Sequence, residues 1–283
     1  VSQIKNILKS DDVKSTIISL KKLGVKITNN KDIIHVYGKG LGSLYAKKNT
    51  FLNFGNSGTL ARLIIGLLTT TPNINLNLTG DHSLRKRSMK KLIELMCKFG
   101  ANFEPKNRFQ LPLKIVSSEM PVGINYKAGV SAQLKSAVIL AGLNSNGVTK
   151  IYEGEKCRDH TERMLSLNKE VIRLNKIDKT IKIYGKKYLK PIKINVAGDP
   201  SSAAFFSALT ILKNNSKIKI SNVGLNPTRI GFYGLLKRHG AKIKFENIKN
   251  FYNEPYGDII VKYSKLRPIK ASKNYYVNST DEY

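Results

Sequence analysis

The chain has no tryptophan, only two cysteines, no long apolar run and few acidic residues. Cys97 and Cys157 each stand alone, away from any second cysteine at metal-ligand spacing. His35, His82, His160 and His239 form no His-x-x-x-His pair. Zinc, haem and a disulfide are therefore not called for, and no cofactor or metal is expected. The longest apolar stretches, residues 60–68 and 137–143, fall well short of the roughly 20 residues that cross a bilayer. The start of the sequence shows no charged-then-apolar leader pattern. A soluble, cytoplasmic protein with no membrane partner is expected. Proline- or glycine-rich linkers and low-complexity tracts are also missing, so any domain boundary must be crossed by an ordinary connection.

Acidic residues number 19 against 49 lysines and arginines, a formal charge of +30. Such a charge marks a nucleic-acid binder when the cations gather in blocks interleaved with aromatics. Here they are spread through loops and helix surfaces alike, which reads as solvated surface and fits small anionic ligands equally well. Nucleic acid is not expected as a partner.

With 283 residues, 41% of them hydrophobic, the chain can bury one large core or two ordinary ones. Two kinds of helical segment recur at a period of about 70 residues. One opens on Gly, Ser or Pro and is rich in small apolar residues on all sides: residues 57–68, 131–143 and 200–212. These helices should be buried. The other is amphipathic and stops at glycine before a strand: residues 12–23, 88–99 and 231–239. A further copy, residues 160–171, has Lys169 where glycine is expected. Alternating strand patterns at 33–37, 73–79, 149–152, 180–184, 192–196, 217–222 and 258–263 lie between them. The order is a repeated α/β unit, with a boundary near Gly198-Asp199-Pro200, dividing the chain into domains of 1–198 and 199–283.

Several segments carry chemistry. In Asn53-Phe54-Gly55-Asn56-Ser57-Gly58-Thr59, small residues lead into a buried helix, so backbone N–H groups and the positive helix end can face an anion, although Ser57 as a simple cap explains the same pattern. Gly80-Asp81-His82-Ser83-Leu84-Arg85-Lys86-Arg87-Ser88 sets three cations before a helix, the unfavourable end for positive charge unless an anion intervenes. Arg87 is the expected clamp; Arg85 and Lys86 are expected to be solvated. Ser131-Ala132-Gln133-Leu134-Lys135 puts polar groups at the start of a buried helix, where they are costly unless they meet something polar. Arg158-Asp159-His160-Thr161-Glu162-Arg163, taken alone, reads as a solvated charge run with Asp159 and Glu162 closing a capping box.

Together with Gly198-Asp199-Pro200-Ser201-Ser202 and Asn226-Pro227-Thr228-Arg229, these motifs resemble the 5-enolpyruvylshikimate-3-phosphate synthase family, over nearly the whole chain. The third, fourth and sixth look like its second class. The resemblance implies an inside-out α/β barrel of two domains built from repeated βαββαβ units. It implies transfer of the enolpyruvyl group of phosphoenolpyruvate to the 5-hydroxyl of shikimate 3-phosphate, with release of phosphate. By that likeness Gly58, Arg87 and Gln133 bind phosphoenolpyruvate, and Ser131, Ala132, Gln133 and Arg158 bind shikimate 3-phosphate. Asp281, in Asn278-Ser279-Thr280-Asp281-Glu282-Tyr283, takes the catalytic role and also meets shikimate 3-phosphate. Cys157 stands where the family usually has Ser or Thr. Gly58 leaves room for glyphosate, so sensitivity is implied. The family's Lys-Ser…Arg segment is expected upstream of Val1 and its Lys-Glu…Arg segment downstream of Tyr283. The chain is thus expected to be a piece incomplete at both ends, inactive by itself and monomeric when complete. The related UDP-N-acetylglucosamine enolpyruvyl transferase needs a reactive cysteine in a glycine-rich loop, and neither Cys97 nor Cys157 sits in one. A non-catalytic basic remnant that binds nucleic acid is the other alternative.

Overall fold

The computed structural model describes residues 1–47 and 50–282. One order of elements recurs along them. The first copy runs β1 (Ser2–Lys5), α1 (Asp11–Lys22), β2 (Lys26–Asn30) and β3 (Ile33–Tyr37). The second runs β4 (Phe51–Asn53), α2 (Gly58–Thr69), β5 (Asn75–Thr79), α3 (His82–Lys86), α4 (Lys90–Lys98), β6 (Asn102–Glu104) and β7 (Leu113–Val116). The third runs β8 (Asn125–Ala128), α5 (Ala132–Leu143), β9 (Val148–Glu153), α6 (His160–Leu165), β10 (Ile172–Asn175) and β11 (Thr180–Tyr184). After β12 (Lys193–Asn195) come α7 (Pro200–Leu212), β13 (Lys217–Gly224), α8 (Gly231–Arg238), β14 (Lys242–Phe251), β15 (Glu254–Lys262) and α9 (Lys273–Asn278).

The sheets repeat as strictly as the elements do. Their strand orders are β12-β1-β3-β2, β4-β5-β7-β6, β8-β9-β11-β10 and β13-β15-β14. In the second and third sheets the leading pair is parallel, with Leu52 opposite Leu78 and Tyr126 opposite Ile151, and the remaining pairs are antiparallel. The repeated unit is therefore βαβαββ rather than the expected βαββαβ. Three strands, β6 to β8, separate α4 from α5. They are only three or four residues long, too short to show an alternating pattern.

The chain forms two compact units, Val1–Glu155 with Leu165–Ile194, and Lys156–Met164 with Asn195–Tyr283. The change of unit after Ile194 lies four residues before the expected boundary at Gly198. Lys156–Met164, expected in the first domain, packs with the second unit. In the first unit α2 and α5 supply the middle of the core, including Leu60, Ile64, Ile65, Leu68, Val138, Ile139 and Leu143. Each such side chain contributes roughly 1.5–3 kcal/mol on burial. Gly66 brings the two helices into backbone contact: a Cβ there would lie 2.5 Å from the Ala137 carbonyl oxygen.

The second unit is built around Tyr233, Leu236, Ile243, Ile259 and Val261. Its helix α7 corrects an expectation. Ala203, Ala204, Ser207 and Ile211 are buried, but Phe205 is 79% exposed, Leu212 74% and Leu209 65%. An apolar composition on all sides predicts burial only where a second layer exists, and among the described residues α7 packs mainly on β13 and β15. The glycine stops behave as expected, with Gly24, Gly100 and Gly240 at positive φ after α1, α4 and α8. Helix α6 does not reach residue 171. It ends at Leu165, where the chain turns and the Asn168 amide donates to the Leu165 carbonyl at 2.8 Å.

Candidate active site

In the first unit, strands β4 and β8 each lead through a short loop into a buried helix, so the amino ends of α2 and α5 lie at the carboxyl ends of parallel strands. Ser57 caps α2 by accepting from the Leu60 amide at 3.2 Å, and Ser131 caps α5 by accepting from Leu134 at 3.4 Å. Each hydroxyl satisfies one of the first-turn N–H groups that have no partner inside the helix. The Gln133 side-chain amide donates to the Thr59 hydroxyl at 2.9 Å, which ties the two helix ends together.

Gly58 is the point on which two guanidinium groups converge. A Cβ at Gly58 would lie 2.8 Å from Nη1 of Arg62 and 3.0 Å from Nη1 of Arg87. Arg87 donates to the Asn56 side-chain oxygen at 2.9 Å and Arg62 to the Gly58 carbonyl at 3.1 Å. Burial, together with the charge of Arg87, lowers the pKa of Arg62. Two cations and a positive helix end in one place repel one another, and an anion placed among them relieves that repulsion.

Arg62 escaped the sequence reading. The signal was present, because it is the lone charge in the otherwise apolar run of residues 58–69. The reading of Arg85 and Lys86 as solvated cations agrees with their exposure. Their supposed misplacement does not hold, however. Both sit in the last turn of the short helix α3, the favourable end for positive charge, and α4 begins only at Lys90.

The second unit gathers the remaining candidates. Arg158 pairs with Asp281 at 2.8 Å, and Arg229 reaches the same carboxylate oxygen at 3.5 Å. Arg229 also contacts Asp199 at 2.8 Å and donates to the Ser201 hydroxyl at 2.9 Å, and Ser201 in turn donates to Glu282. Tyr283 lies outside the described residues. Cys157, one residue before Arg158, is buried.

The run from Arg158 to Arg163 is not a solvated one. The Asp159 side chain is only 14% exposed and accepts from Arg163 Nε at 2.7 Å and from the Asn226 amide at 2.8 Å. Asn226 also donates to Glu254 at 3.0 Å, and Glu254 faces His160 Nδ1 at 2.7 Å. Instead of capping α6, Asp159 is anchored 67 residues along the chain to the Asn226-Pro227-Thr228-Arg229 turn.

Burial raises the Asp159 pKa. The hydrogen bonds from Arg163 and Asn226 and the charges of Arg163 and Lys156 outweigh it and bring the carboxyl down to about 2. Because the folded carboxyl titrates below its unfolded value, its stabilisation is complete above about pH 4 and is lost as pH falls through about 2. Asp159→Asn is expected to cost about 2 kcal/mol at pH 7. In urea titrations the difference from the parent chain should shrink steadily between about pH 4 and 2. A pH-independent difference would show that the charge on Asp159 does not stabilise the unit.

The sequence model of the EPSP synthase (3-phosphoshikimate 1-carboxyvinyltransferase) family matches residues 1–274. The 3-phosphoshikimate 1-carboxyvinyltransferase of Zymomonas mobilis is 37% identical over 286 residues, covering 100% of this chain and 63% of that protein. That of Bacillus subtilis is 39% identical over 280 residues, covering 99% and 64%. The structure of EPSP synthase from Acinetobacter baumannii at 2.37 Å superposes with a TM-score of 0.87 at 32% identity, over 99% of this chain and 63% of that one. The chain thus spans a little under two thirds of the length of these relatives. No helix among the described residues is long and apolar enough to cross a membrane. By sequence model, by relatives and by fold, the chain belongs to the EPSP synthase family.

Proposed function

We propose that the chain binds phosphoenolpyruvate and shikimate 3-phosphate and takes part in transferring the enolpyruvyl group from the first to the 5-hydroxyl of the second, with release of phosphate. The observation that carries this reading is the convergence of Arg62 and Arg87 on the amino end of α2 at Gly58. Phosphoenolpyruvate is a small molecule that carries two anionic groups. Two fork-shaped guanidinium groups and a helix end offer it several charge-assisted hydrogen bonds.

Arg62 and Arg87 hold the phosphoenolpyruvate anion beside Gly58, and Gln133 touches both substrates. Ser131, Ala132 and Arg158 receive shikimate 3-phosphate, with Arg158 on its phosphate. Asp281 accepts the 5-hydroxyl proton as that oxygen attacks C2 of phosphoenolpyruvate, while the methylene carbon gains a proton. The resulting tetrahedral intermediate then loses phosphate and a proton from the methyl carbon, which restores the carbon–carbon double bond and gives the enol ether. The two compact units correspond in this reading to parts of two domains. A monomeric enzyme of the cytoplasm is the setting expected for the whole protein.

Gly58→Ala tests the reading at its centre. The new methyl group meets the ends of side chains rather than backbone, so the fold should tolerate it while the anion loses its place. Phosphoenolpyruvate affinity, titrated with shikimate 3-phosphate present, is expected to fall about tenfold, with glyphosate affinity falling alongside, for a loss of about 1.4 kcal/mol. Unchanged affinity in the folded variant would contradict the placement of phosphoenolpyruvate at Gly58.

A further inference from the structure

Helix α5 contains one charge that the proposed chemistry does not use. Lys135, in its first turn, has a completely buried side chain, and its ammonium lies 2.5 Å from Oε1 of Glu153, whose side chain is 16% exposed. The residues that follow it, Ala137, Val138 and Ile139, are buried and apolar. Taking a lysine and a carboxylate out of water costs several kcal/mol per ion, and apolar residues of the same volume often stabilise a fold as well or better. Stability is therefore a poor reason for an ion pair at this place.

Its position offers a better one. Glu153 is the last residue of β9 and stands opposite Ala128, the last residue of β8, in the parallel ladder. From Ala128 the chain runs through Gly129, Val130 and Ser131 into α5. One carboxylate residue thus anchors both ends of this loop, through the ladder at Ala128 and through the ion pair at Lys135. The Lys135 amide also donates to the Ser131 carbonyl at 3.1 Å, so a shift of Lys135 is passed directly to Ser131.

We infer that Lys135 and Glu153 form a positioning pair, which sets the height and rotation of the first turn of α5 and so aims Ser131 and Gln133 at shikimate 3-phosphate. The inference rests on the proposed function of this end of α5. A directional ion pair fixes a helix end in one register, whereas apolar contacts tolerate sliding and rotation. Small displacements of substrate-holding groups are costly for binding and catalysis.

The test separates binding from stability. The double variant Lys135→Met with Glu153→Leu replaces the pair by apolar side chains of similar length, and Lys135→Arg keeps the charge. Shikimate 3-phosphate affinity and melting temperature are measured for both variants and for the parent chain. The double variant is expected to melt no lower than the parent yet bind about tenfold more weakly, and Lys135→Arg to restore affinity to within about threefold. Equal affinity in a folded double variant overturns the positioning role and leaves the functional reading intact. If the double variant unfolds while Lys135→Arg folds and binds normally, the pair serves the fold and the inference is again overturned. No binding by the parent chain removes the functional reading and this inference with it.

Discussion

Gly66→Ala is expected to destabilise the first unit by about 3 kcal/mol, the upper part of the range for forcing an extra carbon into a packed core. The reason is geometric. The added carbon would lie 2.5, 2.7 and 2.9 Å from the carbonyl oxygen, Cα and carbonyl carbon of Ala137. All three are backbone atoms of a buried helix and cannot swing aside. The two helices are also fastened to one another on either side of this contact. At their amino ends Gln133 bonds to Thr59, and near their carboxyl ends the Thr70 hydroxyl donates to the Ala141 carbonyl at 3.0 Å. Relief therefore requires α2 and α5 to separate as rods, breaking one of these ties or stretching both. Urea unfolding followed by circular dichroism measures the loss. A cost below about 1 kcal/mol would show that the helices slide apart freely and that their amino ends are not held in register by this contact.

Arg158→Ala is expected to weaken shikimate 3-phosphate binding by about 100-fold, equivalent to about 2.7 kcal/mol. Hydrogen bonds to charged groups contribute roughly 1.5–3 kcal/mol each, and a planar guanidinium supplies them in pairs to a phosphate. The free protein should lose little. The Arg158 side chain is 27% exposed and its partner Asp281 is 45% exposed, and ion pairs so open to water seldom contribute more than about 1 kcal/mol. Arg229 remains within reach of Asp281 when Arg158 is gone. Isothermal titration should therefore show a large loss of affinity beside a nearly unchanged melting temperature. A loss smaller than about threefold would remove Arg158 from the phosphate.

Much of this organisation was legible in the sequence because it is written locally. The Ser57 and Ser131 caps, the three glycine stops and the compositions of α2 and α5 depend on neighbours within a few residues, and they appear where their patterns place them. Gly58 and Arg87 were likewise singled out from short motifs as candidates, and the fold places them side by side. What escaped depends on residues far apart in the chain. Lys135 finds Glu153, and Asp159 finds Asn226, across separations that no periodicity records, so a half-buried network was read as a solvated run. Phe205 and Leu209 of α7 repeat the error in the opposite sense. Apolar composition says that a residue can be buried but not whether another layer lies over it. Arg62 is different, since a lone charge in an apolar helix could have been noticed.

The most direct test of a working shikimate 3-phosphate site is the thermal melting of this chain, followed by circular dichroism, with and without saturating shikimate 3-phosphate. A ligand that binds only the folded chain raises its melting temperature, by an amount that grows with the ratio of ligand concentration to dissociation constant. A cooperative melt that rises by several degrees is expected, with a much smaller rise in Arg158→Ala. A cooperative melt that saturating ligand leaves unmoved would contradict the claim that this chain carries a working shikimate 3-phosphate site.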